Sequence, residues 1–247
     1  MISPVIHRFE EVGSTNDIAL EMARSGAPEG TVVTARSQSK GRGRRGREWF
    51  DKPGESILMS VILRPKLPLN RYSELAFVAA VALAQCLSGS FGVEPALKWP
   101  NDVLIGGRKV AGILVEAGQG AAIVGVGVNV NQSEFPPELA GEATSVAIEA
   151  GSGLDVDALT QALIDSLFAA YQLPFEEILT RWRKYMWGLG CSVDVVTEGV
   201  TVSGTIAGID SDGALLLDQA GGVRRIVAAD AVLPAVPIEH VGVRFEI

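Results

Sequence analysis

The spacing of apolar residues changes near residue 188, and this change limits the possible folds more than any other feature. Before it, helical periods alternate with strand-like runs, and helices are predicted at 15–24, 74–87, 155–172 and 175–187. After it, short β-branched runs alternate with turn pairs such as Asp212-Gly213. We therefore predict two domains, an α/β (α+β) domain at residues 1–188 and a small β-barrel at residues 189–247.

The first domain contains enough strand-like segments for one sheet. They are predicted at 7–12, 31–35, 56–63, 96–99, 103–105, 109–116 and 122–130. Gly106-Gly107 separates two of them and indicates a hairpin. The helix predicted at 74–87 is apolar on nearly every side, so we expect it to be buried against the sheet.

Composition and charge exclude several classes of protein. An apolar content of 47% is ample for a core, and the net charge of -8 disfavours a nucleic-acid binder, so any anion site must be local. The two cysteines, Cys86 and Cys191, are too few for a disulfide scaffold and fit a reducing cytosol. The N-terminus lacks the apolar core of a signal peptide, and the longest apolar run, 75–87, is too short to cross a bilayer. We expect a cytoplasmic protein that binds neither DNA nor a membrane.

The most informative segment is the loop at 41–47, which reads GRGRRGR. Glycine allows backbone amides to converge on an anion, and arginine supplies permanent charge and forked donors. The loop therefore predicts a ligand with carboxylate and phosphate groups. Its charges should repel one another, so we expect it to be mobile without substrate and ordered with it. We also expect Gly43→Val to be severe, through backbone angles that valine cannot adopt.

Five motifs, in order, resemble those of biotin–protein ligases. They are STN at 14–16, Gln38 followed by GRGRRGR, KWPND at 98–102, RKVAGILVE at 108–116 and GVGVNVN at 125–131. The resemblance implies a class II synthetase-like domain, with a mixed, mostly antiparallel sheet and helices on one face, and an SH3-like barrel. It implies an ATP-dependent ligase that converts biotin to biotinyl-5'-AMP and transfers it to a lysine of a biotin carboxyl-carrier domain. ATP and biotin would be substrates, with Mg²⁺ accompanying the ATP.

The resemblance also implies roles for individual residues. Biotin binding is expected of Ser14, Thr15, Asn16, Gln38, Arg42, Gly43, Arg44, Lys109 and Gly112. ATP binding is expected of Arg44, Arg45, Arg47, Trp49, Asn101, Lys109 and Asn129. Catalytic roles are expected of Arg42, Arg44, Lys109 and Asp102. The three cations would offset the charge that gathers where a carboxylate meets a polyphosphate, and Asp102 would orient the incoming amine or take its proton.

Simpler interpretations exist for several of these residues. From spacing alone, 14–16 is a helix cap, Lys109 a solvated hairpin lysine and Asp102 part of a turn. The arginine loop alone also fits a solvated charge run or an RNA-binding segment, although such RNA-binding segments usually repeat and lie at chain ends.

Three other functions stay open. A lipoate–protein ligase or a lipoyl/octanoyl transferase has a related fold and also serves a carrier lysine, although the arginine loop and KWPND favour biotin. A nucleic-acid-binding module would use the arginine loop and the barrel, which the net charge of -8 disfavours. A biotin-storage or sensor protein would bind biotin without turning over ATP.

Two features depart from related ligases. Many bacterial relatives carry an N-terminal helix-turn-helix domain, whereas here the pattern starts at residue 7, so we expect a short form without repressor activity. In several relatives the last barrel strand ends in Ser-Leu-Arg, and here the corresponding stretch is Val232-Leu233-Pro234, which puts a C-terminal arginine contact to ATP in doubt. Arg224 or Arg225 are the candidate substitutes. Relatives can dimerise along sheet edges, and the strand at 122–130 is the candidate edge for a homodimer.

Overall fold

The computed structural model describes residues 2–90, 92–118 and 120–235. The predicted barrel residues 236–247 lie outside this part of the chain. The strands are β1 (Val5–Val12), β2 (Thr31–Gln38), β3 (Ser56–Leu63), β4 (Pro95–Lys98), β5 (Asp102–Ile105), β6 (Arg108–Gly118), β7 (Ala121–Asn129), β8 (Ser192–Thr197), β9 (Val200–Ile209), β10 (Leu215–Gln219), β11 (Gly222–Ile226) and β12 (Ala231–Pro234). The α-helices are α1 (Thr15–Arg24), α2 (Glu74–Ser90), α3 (Val146–Ala150), α4 (Val156–Tyr171) and α5 (Phe175–Lys184).

Seven strands form one sheet in the order β1-β2-β3-β7-β6-β5-β4. Only β1 and β2 pair in parallel, so the predicted mixed, mostly antiparallel sheet is confirmed. The strand predicted at 122–130 was proposed as a dimer edge, and this is wrong. It corresponds to β7, which is hydrogen-bonded to β3 on one side and β6 on the other.

Helices cover both faces of the sheet, which corrects the expectation of a single face. Ala19 and Ala23 of α1 form a small apolar cluster with Val33, Ile62 and Ile123 of the sheet. The residues that alternate with these along the strands face the larger core cluster, which contains α2 and α4. Every residue of β3 is buried, because this strand is covered from both sides.

The helix α2 is buried, as predicted from its apolar surface. Together with the turn before it, the stretch Leu69–Gly89 is long and apolar enough to span a bilayer by length and composition, which the predicted limits 75–87 had understated. Of an 18-residue segment within this stretch, 67% is buried inside the protein, as is usual for the core helix of an α/β domain.

The predicted fourth helix is shorter than expected. α5 ends at Lys184, and the chain that follows pairs with the sheet edge instead. The Leu97 N–H donates to the Tyr185 carbonyl at 2.6 Å, and the Trp187 N–H donates to the Leu97 carbonyl at 2.9 Å. These two bonds satisfy the outer edge of β4.

The C-terminal part forms a second, five-stranded antiparallel sheet in the order β11-β10-β9-β8-β12. Its apolar residues, including Ile206 and Ile209, belong to the same core cluster as the first sheet. The Trp99 indole N–H also donates to the Gly213 carbonyl at 2.9 Å. These contacts hold the second sheet against the domain that carries the cleft described next.

Candidate active site

A cleft lies on the α1 face of the first sheet. Most of the predicted site residues line it, and these are Ser14, Thr15, Asn16, Gln38, Arg42, Gly43, Arg44, Trp49, Asn101, Lys109 and Gly112. The fold therefore brings residues of all five sequence motifs to one place. Residues that had no individual role assigned complete the lining, and these are Leu58, Met59, Ile113, Leu114, Gly125, Val126 and Gly127.

One end of the cleft is polar and buried, at the start of α1. Ser14 occupies the N-cap position, but its side chain makes no capping hydrogen bond, so the simple cap interpretation is insufficient. The backbone N–H of Thr15 donates to Gln38 Oε1 at 2.7 Å, and Ser60 Oγ donates to Asn16 Oδ1 at 2.6 Å. Ser60 was not predicted, although a serine inside the apolar strand SILMSVIL is a recognisable signal.

The floor of the cleft is built from glycines on two neighbouring strands. Gly112 of β6 and Gly127 of β7 face each other across the ladder. A Cβ at Gly127 would lie 2.6 Å from Trp49 Cε2, and one at Gly112 would lie 3.0 Å from Trp49 Cζ3. A Cβ at Gly125 would overlap the Asn16 side chain. Glycine is therefore required here because side chains from elsewhere lie directly on the sheet.

The Trp49 ring lies close against the glycines of the sheet, and its indole N–H is available as a hydrogen-bond donor. Its Nε1 is buried and has no hydrogen-bond partner within the described parts of the chain. A buried N–H without a partner is unfavourable, so this atom is suited to donate to a ligand in the cleft.

The arginine loop has a different backbone from the one expected. Gly43 has φ -100° and ψ -173°, which is extended backbone open to any residue, so the predicted strain of Gly43→Val is wrong. The left-handed positions are Arg45, with φ 56°, and Gly46, with φ 74°. The loop also contains a 3₁₀ turn at Arg44–Gly46 and an antiparallel bridge between Arg42 and Glu48.

The other end of the cleft is cationic. Lys109 Nζ lies 2.7 Å from Asp102 Oδ1, and Arg44 Nη1 donates to Asn101 Oδ1 at 3.0 Å. Burial, together with the charge of Arg45, lowers the pKa of Arg44. Lys109 and Arg44 are thus held by the segment 101–102, and both line the cleft.

Arg42 forms ion pairs with two carboxylates, which the sequence did not predict. Its Nη2 lies 2.7 Å from Asp17 Oδ1 and 3.1 Å from Glu116 Oε2. Partial burial acts to lower the pKa of Arg42, but the carboxylates of Glu116 and Asp17 raise it overall. The expectation that the loop charges repel one another is therefore incomplete, because carboxylates outside the loop compensate them. Mobility of the loop stays a prediction.

Three residues predicted to bind ATP do not line the cleft. Arg45 forms an ion pair with Asp230 of the second sheet, and the Arg47 side chain is exposed. Asn129 is buried, and its Nδ2 donates to the Thr144 carbonyl at 3.0 Å. This amide therefore has a partner within the protein, and its assignment to ATP stays a prediction.

Arg224 and Arg225 are the candidate substitutes for a C-terminal arginine that contacts ATP, and neither side chain lies in the cleft. Arg225 binds Asp210 and Asp212, each at 2.6 Å, within the second sheet. Arg224 is exposed on β11.

The site offers no ready metal centre. Within residues 2–90, 92–118 and 120–235, no group of three or more His, Cys, Asp or Glu side chains is arranged to hold a metal ion.

A polar, buried end joined to a cationic mouth defines a protein that binds a small ligand with a neutral head and an anionic tail. The comparisons with known proteins specify this class further. Residues 9–133 match the model of the Biotin/lipoate A/B protein ligase family, and residues 188–233 match the Biotin protein ligase C terminal domain. The chain belongs to the biotin/lipoate A/B protein ligase family.

Individual relatives agree with this assignment. The chain is 38% identical to the bifunctional ligase/repressor BirA of Bacillus subtilis over 233 residues, covering 90% of this chain and 72% of the relative. It is 37% identical to the biotin–[acetyl-CoA-carboxylase] ligase of Paracoccus denitrificans, covering 88% and 95% of the two chains. Among solved structures, the biotin protein ligase from Aquifex aeolicus in complex with biotin and ATP has a TM-score of 0.85 at 27% identity, covering 93% and 99%.

Proposed function

We propose that this protein is an ATP-dependent biotin–protein ligase, which activates biotin as biotinyl-5'-AMP and transfers it to a lysine of a biotin carboxyl-carrier domain. The observation that carries the proposal is the cleft itself, in which a buried polar end and a cationic mouth lie on one glycine floor. Such a cleft suits a ligand with an uncharged ring at one end and a carboxylate at the other.

The polar end would hold the ureido ring of biotin. Asn16 and Gln38 are amides and Thr15 is a hydroxyl, so together they supply both donors and acceptors. Thr15 is hydrogen-bonded to Gln38, and Asn16 is hydrogen-bonded to Ser60 and Glu116, so these side chains are fixed before a ligand arrives, which lowers the entropy cost of binding.

The cationic mouth would support the first chemical step. A biotin carboxylate oxygen attacks the α-phosphorus of ATP, the bond from that phosphorus to the bridging oxygen breaks, and pyrophosphate leaves. Both reactants are anions, so fixed positive charge lowers the barrier by offsetting the charge that gathers between them. Arg44 and Lys109 line the cleft where this charge would lie.

Asp102 would serve the second step. The amine of the carrier lysine attacks the acyl carbon, the bond to the phosphate oxygen breaks, and AMP leaves. Asp102 does not itself line the cleft, but its Oδ1 is 2.7 Å from Nζ of Lys109, which does. A carboxylate in this position could orient the amine and accept its proton. This assigns Asp102 to the transfer of biotin rather than to its activation.

We propose that Mg²⁺ binds together with the nucleotide. The ion would be held mainly by phosphate oxygens, as Mg²⁺ usually is, and would offset part of their charge.

Biotin is favoured over lipoate by the second family match, which covers the C-terminal domain of biotin protein ligases. The test is ATP–pyrophosphate exchange with purified protein, run with biotin, with lipoate and with neither. Exchange that depends on biotin supports the proposal. Exchange with lipoate alone would indicate the rival ligase, and biotin binding without exchange would indicate a storage or sensor protein.

A further inference from the structure

Glu116 lies on β6, where the polar end of the cleft meets the arginine loop. Its Oε2 accepts a hydrogen bond from Asn16 Nδ2 at 2.6 Å and another from Arg42 Nη2 at 3.1 Å. Asn16 lies in the first turn of α1 and Arg42 belongs to the loop, so they come from different elements of the chain. One carboxylate thus connects a residue of the polar end with a residue of the arginine loop.

The amide of Asn16 is oriented from both sides. Ser60 Oγ donates to its Oδ1 at 2.6 Å, while Glu116 accepts one hydrogen of its Nδ2. The second Nδ2 hydrogen has no partner among the described residues, and Asn16 lines the cleft. Because a donor fixes one side of the amide and an acceptor fixes the other, Asn16 presents this hydrogen to a ligand in a defined direction.

The guanidinium of Arg42 is held through a single nitrogen. Both Glu116 and Asp17 bind Nη2, whereas Nη1 and Nε have no hydrogen-bond partner in the described part of the chain. The two carboxylates therefore anchor one corner of the planar group and leave its other donors available to a carboxylate ligand.

We propose that Glu116 is a positioning residue that holds the Asn16 amide and the Arg42 guanidinium in a fixed relation to each other, so that one biotin molecule can contact both. The same bonds favour the closed position of the arginine loop over the polar end of the cleft. Glu116 itself touches no reacting atom, so it acts through these two residues. The inference rests on the proposed function for the identity of the ligand, but the closure of the loop is a property of the protein alone.

Closure is tested first, without any ligand. Trypsin cleaves after arginine, and the loop offers four such sites in Arg42, Arg44, Arg45 and Arg47. In Glu116→Ala we expect cleavage within the loop to be about tenfold faster, as for the loss of one or two charge-assisted hydrogen bonds. Glu116→Gln keeps an acceptor for Asn16 but not the charge that holds Arg42, so it should be intermediate. Glu177→Ala is the control, because it removes a comparably exposed carboxylate from the 2.6 Å ion pair with Arg181 on α5.

Positioning is tested by biotin-dependent pyrophosphate exchange on the same variants. Glu116→Ala should raise the KM for biotin about tenfold and change kcat little, since weakened ground-state binding without a chemical role has this signature. Glu116→Gln should recover part of the affinity, and Glu177→Ala should match wild type. Thermal unfolding confirms that each variant is folded, and the nearly isosteric Glu116→Gln serves as the decisive variant if Glu116→Ala does not fold.

The outcomes separate the two proposals. Unchanged loop cleavage in Glu116→Ala and Glu116→Gln overturns the closure role, and a fall in kcat at constant KM overturns the positioning role. If wild type shows no biotin-dependent exchange, the proposed function fails, while the tryptic comparison still decides whether Glu116 closes the loop.

Discussion

Replacing Lys109 with methionine removes one charge from the cationic mouth while keeping most of the length of the unbranched side chain. Lys109 Nζ is 2.7 Å from Asp102 Oδ1, and the two side chains are 38% and 27% exposed. A pair this accessible to water contributes at most about 1 kcal/mol to stability. The midpoint of thermal unfolding should therefore fall by no more than about 2–4 °C for a chain of this size.

The effect on adenylation should be much larger. Lys109 is fixed at the point where two anions would meet, and loss of one preorganised donor of this kind typically lowers kcat by about 10²–10³-fold. The assay is biotin-dependent release of pyrophosphate at saturating ATP. The reasoning is refuted if Lys109→Met keeps more than about a tenth of the wild-type rate.

Arg108→Met provides a matched control on the same strand. Arg108 forms an ion pair with Glu149 at 2.6 Å, and its side chain is 40% exposed, close to the value for Lys109. It does not line the cleft as described. Both variants should lose similar stability, but only Lys109→Met should lose adenylation. Equal loss of activity in the two variants would mean that adenylation depends on the structure of the hairpin and not on the charge of Lys109.

Three further predictions follow from the cleft and its surroundings. Gly127→Ala should weaken biotin binding, measured by titration calorimetry, because its Cβ would lie 2.6 Å from Trp49 Cε2 and displace the ring; an unchanged affinity would contradict this. Arg44→Ala should slow pyrophosphate release more than Arg42→Ala, since Arg42 is already neutralised by carboxylates; the opposite order would count against it. Burial raises the pKa of Asp51, so ionisation is penalised in the folded state and this penalty grows as pH rises through its pKa range. Asp51→Asn should accordingly raise the free energy of unfolding in urea at pH 7 and lose this advantage at low pH, and a constant difference across pH would exclude the effect.

Much of the fold was accessible from the sequence because the relevant signals are local. The strand β3 has the predicted limits 56–63, because a short, largely apolar run bounded by polar residues is typical of a buried strand. The helix α1 has the predicted limits 15–24, because its helical period ends just before Gly26, whose φ of 89° does not continue a helix. The short helix α3 was missed, since its five residues lie in a stretch without a helical period long enough to detect.

Features that depend on tertiary contacts could not be predicted from local sequence patterns. The stripe on α1 predicts that the helix is amphipathic but not which face of the sheet it covers. The Arg45–Asp230 pair joins residues far apart in sequence, and no local pattern indicates it. Asn129 illustrates the same limit, because the end of an apolar strand predicts that its amide needs a partner but not that Thr144 provides it.

From the charges of the cleft we expect it to discriminate among anions. Arg42 and Lys109 each face a carboxylate of the protein, so an incoming anion must share the cation with an existing negative charge. This sharing weakens binding of a carboxylate or phosphate that has no other contacts. Arg44 differs, since its partner Asn101 is a neutral amide and its charge is not offset within that bond. A ligand therefore gains most when it also fills the buried polar end, and the cleft selects molecules that carry a neutral head and an anionic tail on one chain of suitable length.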